Sequence, residues 1–183
     1  RFLMVDGEKM SKSLGNFYTI DDVEKKGFTP LSLRYLYLTT HYRKQMNFTW
    51  ESLTAAQAAL NKLKKAFISL KNSDRTVLSD EKLVKVNEFR EKFKEAINDD
   101  LNMPQALAIV WETVKSNIPD IDKRDLLLSF DEVLGLNLNT PLKEIILNPE
   151  IQELIEKREK LRNEKKFDEA DKVREELVKK GYN

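Results

Sequence analysis

The chain has 183 residues, 40% hydrophobic and 34% charged, with no cysteine, one histidine, five glycines and five prolines. The charged fraction exceeds the usual ~25%, and scarce glycine and proline favour long solvated helices over sandwiches, barrels or collagen-like repeats. Without cysteine there is no disulfide framework, iron–sulfur cluster, thiolate zinc site or cysteine nucleophile; with His41 as the only imidazole, no metal site is expected in the chain. The net charge of +1 gives no global steering toward nucleic acid, so RNA contacts must come from local basic patches.

Phe2-Leu3-Met4-Val5 is a short apolar run closed by Asp6-Gly7, which predicts a buried strand entering a turn. Residues 8–16 have no helical period and read as a loop. Thr19 with Asp22 resembles a capping box opening a short helix that ends at Gly27. Thr29-Pro30 then supplies an N-cap and a first-turn proline for a helix running to about His41. Thr49 caps a long helix whose apolar positions, Trp50, Leu53, Ala56, Leu60, Leu63, Phe67 and Leu70, alternate in spacing between three and four.

After a polar break from Asn72 to Ser79, a second long helix places Leu83, Val86, Phe89, Phe93 and Ile97 on one face. Asn102-Met103-Pro104-Gln105 opens a third, with Leu107, Val110, Trp111 and Val114, stopped by Pro119; a fourth runs from about Asp122 to Gly135. The middle of the chain is therefore expected to be a four-helix bundle with short connections. Asn137 to Asn148 reads as a linker. Beyond Pro149, a charged helix with Ile151, Leu154, Ile155, Arg158 and Leu161 on one face precedes another over about 167–180. That second helix is expected to bury Phe167, Ala170, Val173 and Leu177, with Gly181 as its cap. The two form an αα-hairpin, and the fold class is mainly α. No run approaches the ~20 apolar residues of a membrane span, no signal peptide opens the chain, and Arg1 stands where a methionine would. These features read as a soluble, cytoplasmic protein with no membrane partner, and as a piece of something longer.

One stretch speaks strongly of chemistry: Lys9-Met10-Ser11-Lys12-Ser13, followed by Leu14-Gly15-Asn16. Two ammonium groups and several N–H and O–H donors on one loop suit a triphosphate, because fixed cations meet the charge that moves onto pyrophosphate. Gly7 and Gly15 bracket the segment as candidate hinges. A bare pair of lysines would read as a solvated turn. The whole pentapeptide, in a strand–loop–helix setting, is identical to the second signature of class I aminoacyl-tRNA synthetases.

Further along, Leu33-Arg34-Tyr35, His41-Tyr42-Arg43, Asn47-Phe48-Thr49, Asp99-Asp100-Leu101-Asn102 with Ala106-Leu107, and Val133-Leu134-Gly135-Leu136 resemble the cysteinyl-tRNA synthetase family in identity and separation. So do Arg158 to Arg162, Lys166-Phe167, Ala170-Asp171, Arg174, Leu177 and Gly181. The similarity covers essentially the whole chain. It implies that Lys9 and Lys12 are catalytic, binding ATP phosphates and stabilising the transition state of adenylate formation, and that Lys9, Met10, Ser11, Lys12 and Ser13 bind ATP with its Mg2+. It implies tRNA contacts by His41, Tyr42, Arg43, Arg158, Arg162 and Arg174. Residues 1–48 would be the stem-contact region with the ATP loop, 49–140 the DALR-type tRNA-binding helical bundle, and 141–183 the start of the anticodon-binding region. Implied partners are tRNA(Cys), ATP and cysteine, for a monomeric ligase. The family's first signature, its nucleotide-binding fold and its zinc site belong upstream, so zinc is expected only there and the 183 residues alone are expected to be inactive.

Blander readings stand beside these. His41 at a helix end is either a structural cap or a contact for the tRNA acceptor arm. Asp99 and Asp100 read as a helix-junction feature, with Asn102 capping the next helix. Trp50 and Trp111 read as core, and the charges of 150–183 as a solvated face from which individual arginines reach RNA. Two other functions fit parts of the pattern: a cysteine ligase acting on an amino-sugar, and a non-catalytic RNA-binding helical module.

Overall fold

The computed structural model describes residues 3–71, 77–140, 154, 157, 158, 160–162, 164 and 166–179. They fall into two units, Arg1–Leu142 and Lys143–Asn183.

In the first unit, β1 (Met4–Val5) turns at Asp6-Gly7 into β2 (Glu8–Lys9), and β3 (Asn47–Phe48) joins on the other side in the order β2-β1-β3. Asp6 and Gly7 both have positive φ, +50° and +83°, the geometry of a tight two-residue hairpin turn whose second position favours glycine. Residues 8–16 are thus not loop throughout, because Glu8 and Lys9 pair antiparallel with Val5 and Met4. On its other edge β1 runs parallel to β3, with Met4 opposite Asn47 and Val5 opposite Phe48.

Thr19 caps α1 (Ile20–Lys25) in a reciprocal capping box with Asp22, whose carboxyl those bonds to Thr19 hold below its ordinary value. The helix ends in a Schellman turn: Gly27 N–H donates to Glu24 and Phe28 N–H to Val23. Thr29 caps α2 (Pro30–Leu38), which stops at Leu38 and leaves His41 in the following loop. Thr49 caps α3 (Trp50–Ser69), and Asn102 caps α5 (Met103–Lys115) by accepting from Gln105 N–H. Between them lies α4 (Asp80–Asn98), and α6 (Asp120–Leu134) closes the unit, ending on the left-handed Gly135.

Helices α4, α5 and α6 pack on one another, α2 lies along α3, and α5 touches both α2 and α3. One continuous core runs from Val5 through Leu53, Leu60, Leu63, Phe67 and Leu127 to Leu138. Phe93 and Phe130 stack inside it with centroids 4.1 Å apart. Both tryptophans are half-buried against this core. Trp111 Nε1 donates to the Tyr35 hydroxyl at 3.0 Å. Trp50 packs with Tyr18, Phe28 and Phe48 and carries the Lys26 ammonium 4.4 Å from its ring centroid. Leu83 departs from expectation: it is exposed on the first turns of α4, where the helix face is not covered.

The second unit holds helical residues at Leu154, Lys157, Arg158 and 160–162, a turn at Glu164, and α7 (Phe167–Lys179). Leu161, Ala170 and Val173 are buried together, with Leu154 packed against them, which is the apolar seam of a helical hairpin. Phe167, at the first position of α7, is exposed rather than buried. The expectations for the segment 72–76, for the linker beyond Thr140, for Ile151 and Ile155, for the Leu177 side chain and for the Gly181 cap lie outside the described residues. No described helix is long and apolar enough to cross a membrane.

Candidate functional site

The lysine–serine loop leaves β2 at Lys9 and is anchored at its base: Met10 N–H donates to Leu3 O at 3.4 Å, and the Met10 side chain packs on the core. Beyond Met10 the backbone is organised by one side chain. Asn16 Oδ1 accepts from Ser11 N–H at 2.8 Å, and Asn16 Nδ2 donates to Lys9 O at 3.2 Å. The turn tightens further through Gly15 N–H to Lys12 O at 3.2 Å. Ser13 N–H donates to Ser11 Oγ at 3.2 Å, and the two hydroxyls lie 2.7 Å apart. Lys9 and Lys12 are exposed, as are Ser13, Leu14 and Phe17, and the Lys12 ammonium sits 5.4 Å from the Phe17 ring centroid. The structure therefore brings the five predicted residues together on one projecting loop. Neither Lys9 nor Lys12 lines a neighbouring cavity: one of about 450 Å3 lies between α2, the loop with His41 and Tyr42, Leu101 and Met103 of the α4–α5 junction, and Val133 of α6, and one of about 220 Å3 is lined from β1, Met10, α1, α2 and β3.

A second cluster gathers His41, Tyr42 and Arg43 around Asp100, 57 to 59 positions further on. Asp100 accepts from the Tyr42 hydroxyl at 2.5 Å. Arg43 Nη2 donates to Asp100 Oδ1 at 3.0 Å and Nε donates to the Tyr42 hydroxyl at 3.0 Å, while Arg43 Nε and His41 Nε2 lie 2.7 Å and 3.7 Å from Asp100 Oδ2 as ion-pair partners. His41 stacks on Tyr42 with centroids 5.0 Å apart, and Arg43 N–H donates to His41 Nδ1 at 3.2 Å. The Tyr42 hydroxyl, then Arg43 and His41, hold the Asp100 carboxyl below its ordinary value, and the same tyrosine and aspartate raise the Arg43 guanidinium. Asp100 and Leu101 both have positive φ, +51° and +54°. Aspartate tolerates that region, while for leucine it costs about 1–2 kcal/mol, so the α4–α5 junction is held in shape by its contacts. Asp99 turns the other way along the junction, where its Oδ2 accepts from Asn102 Nδ2 at 3.3 Å.

The three-stranded sheet joins Lys9 of the first cluster to β3, the strand that follows the loop carrying His41, Tyr42 and Arg43. Met4 pairs with Lys9 on one side and Asn47 on the other, and Asn47 Oδ1 accepts from Gly7 N–H at 2.8 Å in the hairpin turn. Phe48, the other residue of β3, is buried beside Tyr18 and Trp50. In the second unit Arg158 is half-buried, and Arg162 and Arg174 are exposed on the hairpin. Lys166 Nζ donates to Glu164 at 2.8 Å, which raises the ammonium and lowers the carboxyl. Among the described residues no group of three or more His, Cys, Asp or Glu could hold a metal ion.

Sequence reasoning passed over two residues of these sites. Asn16 carried a local signal, a side-chain amide closing a short loop behind a glycine. Asp100 was visible as a junction residue, but its partners lie too far away in the chain to be read from spacing.

Residues 1–58 match the family model for tRNA synthetases class I (C) catalytic domain, and residues 92–117 match the DALR domain. The first match contains the lysine–serine loop and residues 41–43, and the second contains Asp100 and the whole of α5. Similar curated proteins include cysteine–tRNA ligase 1 of Burkholderia lata, 39% identical, with 99% of this chain and 37% of the relative covered. The cysteine–tRNA ligase of Borreliella burgdorferi is 38% identical, with 99% and 41% covered, and that of Borrelia turicatae 40% identical with the same coverage. The chain thus spans about two fifths of the length of the curated relatives it matches.

Proposed function

We propose that the chain belongs to the cysteinyl-tRNA synthetase family, as its similarity to those ligases supports, and works as part of a longer cysteine–tRNA ligase. In that ligase cysteine and ATP give cysteinyl-adenylate and pyrophosphate, and the cysteinyl group then passes to the 3′ end of tRNA(Cys), releasing AMP. The observation that carries the reading is the lysine–serine loop, intact in sequence and held open to solvent by its own hydrogen bonds.

In this reading Lys9 and Lys12 meet the ATP phosphates as negative charge moves onto the leaving pyrophosphate, and Ser11 and Ser13 supply further donors. Losing one such contact costs ~3–4 kcal/mol of transition-state stabilisation. Met10 binds no charge and fastens the loop to the core. His41, Tyr42 and Arg43 face tRNA as a unit. Since Asp100 already engages Tyr42 and Arg43, that unit presents an oriented surface and not three independent donors. Arg158, Arg162 and Arg174 contact the RNA from the hairpin. Residues 1–48 form the stem-contact region, 49–140 the tRNA-binding bundle and 141–183 the start of the anticodon-binding region. Zinc has no fit among the described residues, and none of these steps runs through it. The ligase acts in the cytoplasm, as a monomer, with ATP and its Mg2+ as substrate.

Charging of tRNA(Cys) with radiolabelled cysteine by the longer ligase tests this directly. Cysteinyl-tRNA is the expected product; transfer of cysteine to glucosamine–inositol instead would assign the chain to an amino-sugar ligase. The 183 residues alone are expected to show no cysteine-dependent ATP–pyrophosphate exchange.

A further inference from the structure

We propose that Asn16 is a positioning residue for the lysine–serine loop, fixing the backbone from which Lys12 reaches the nucleotide without touching the nucleotide itself. The inference rests on the functional reading above. Residues 10–16 close a loop on the end of β2. Its entry is fastened by Met10, and beyond that point the exposed loop has no apolar side chain in the core. What holds its shape is a short set of internal hydrogen bonds, and Asn16 makes the two that join its ends: Ser11 N–H to Oδ1 at 2.8 Å and Nδ2 to Lys9 O at 3.2 Å. These bonds fall on Lys9 itself, through its carbonyl, and on Ser11, the residue before Lys12, through its N–H. The Lys12 carbonyl is then taken by Gly15 N–H. The peptide that follows Lys12 is thus held at its carbonyl by Gly15 and at its N–H, that of Ser13, by Ser11 Oγ, while the Lys12 ammonium stays exposed beside Phe17.

Only a primary amide of this length serves both ends, since it carries a donor and an acceptor on one carbon. Aspartate would keep the acceptor for Ser11 N–H but set a second oxygen against the Lys9 carbonyl. It would also add negative charge where phosphate must bind. Alanine would leave both backbone groups to water. Because the loop is exposed, either change leaves the fold intact and loosens the arrangement of the lysines. Catalysis by fixed cations depends on that arrangement being set before the charge moves.

The test is cysteine-dependent ATP–pyrophosphate exchange by the longer ligase with Asn16→Ala, Asn16→Asp, Lys12→Ala and the Lys12→Ala/Asn16→Ala double variant. Asn16→Ala is expected to lower kcat about 10- to 100-fold, with the melting temperature unchanged, and Asn16→Asp at least as much. If Asn16 acts through Lys12, Asn16→Ala adds little loss once Lys12 is gone. Full activity of Asn16→Ala would overturn the proposal, as would losses that multiply in the double variant. A melting temperature that falls with Asn16→Ala would make the residue structural and likewise overturn it. Unchanged exchange by Lys12→Ala would instead remove the functional reading, and this inference with it.

Discussion

Gly135→Ala is expected to destabilise the first unit by about 1.5–3.5 kcal/mol, and the number comes from two separable causes. Gly135 ends α6 at φ +61°, a left-handed conformation in which a Cβ costs about 1–2 kcal/mol. A Cβ there would also stand 2.9 Å from Arg34 Nη2 and 3.1 Å from its Cζ and Nε. Arg34 Nε donates to the Leu134 carbonyl at the C-terminus of α6, tying α2 to α6. Displacing the guanidinium forfeits that bond, worth ~0.5–1.5 kcal/mol after discounting for an exposed side chain. Urea unfolding of wild type, Gly135→Ala, Arg34→Ala and the double variant separates the two. In the Arg34→Ala background the glycine substitution should cost only the backbone share, leaving a coupling of about 0.5–1.5 kcal/mol. A Gly135→Ala chain within about 0.5 kcal/mol of wild type would refute the reasoning, because neither the conformation nor the contact would then matter.

Asp131→Ala should destabilise the same unit by about 2–4 kcal/mol by urea unfolding, since its carboxylate accepts from Leu136 N–H at 2.7 Å and Leu138 N–H at 2.8 Å and holds both fully buried leucines in place. The Asp100 cluster should respond to acid. Its carboxyl is depressed by Tyr42, Arg43 and His41, so its contribution is complete above the ordinary carboxylate range near pH 3.9 and is lost as pH falls through the lower folded value. The Arg43 Nη2–H resonance, donated to Asp100 Oδ1 at 3.0 Å, is therefore expected to be protected at pH 6, to lose that protection in strong acid, and to be unprotected at pH 6 in Asp100→Ala. A protected resonance in that variant would contradict the contact.

Much of the architecture was legible because it is local. Thr19, Thr29, Thr49 and Asn102 sit at the helix starts their side chains announce, and Gly135 marks the end of α6 because only glycine adopts that geometry readily. The α3 stripe from Leu53 to Phe67 is buried as its spacing requires. Two-residue strands escape such reading: β2 is too short to show a period, although the Asp6-Gly7 turn pointed to it. Periodicity identified a face of α4 but not how far its neighbours extend along it, so Leu83 was misplaced, and the same holds for Phe167 at the first position of α7. In the candidate site the lysines and serines were recognisable by identity alone. The engagement of Arg43 by Asp100 depends on how α4 and α5 meet, and no spacing within the chain encodes it.

The central claim is that Lys12 stabilises the charge that develops on pyrophosphate. Cysteine-dependent ATP–pyrophosphate exchange by the longer ligase, wild type against Lys12→Ala, tests it most directly, with tRNA(Cys) affinity measured in parallel. The account predicts a fall in exchange of about 100- to 1,000-fold with tRNA affinity retained. Exchange at the wild-type rate would contradict it and leave the lysine–serine loop without a catalytic role.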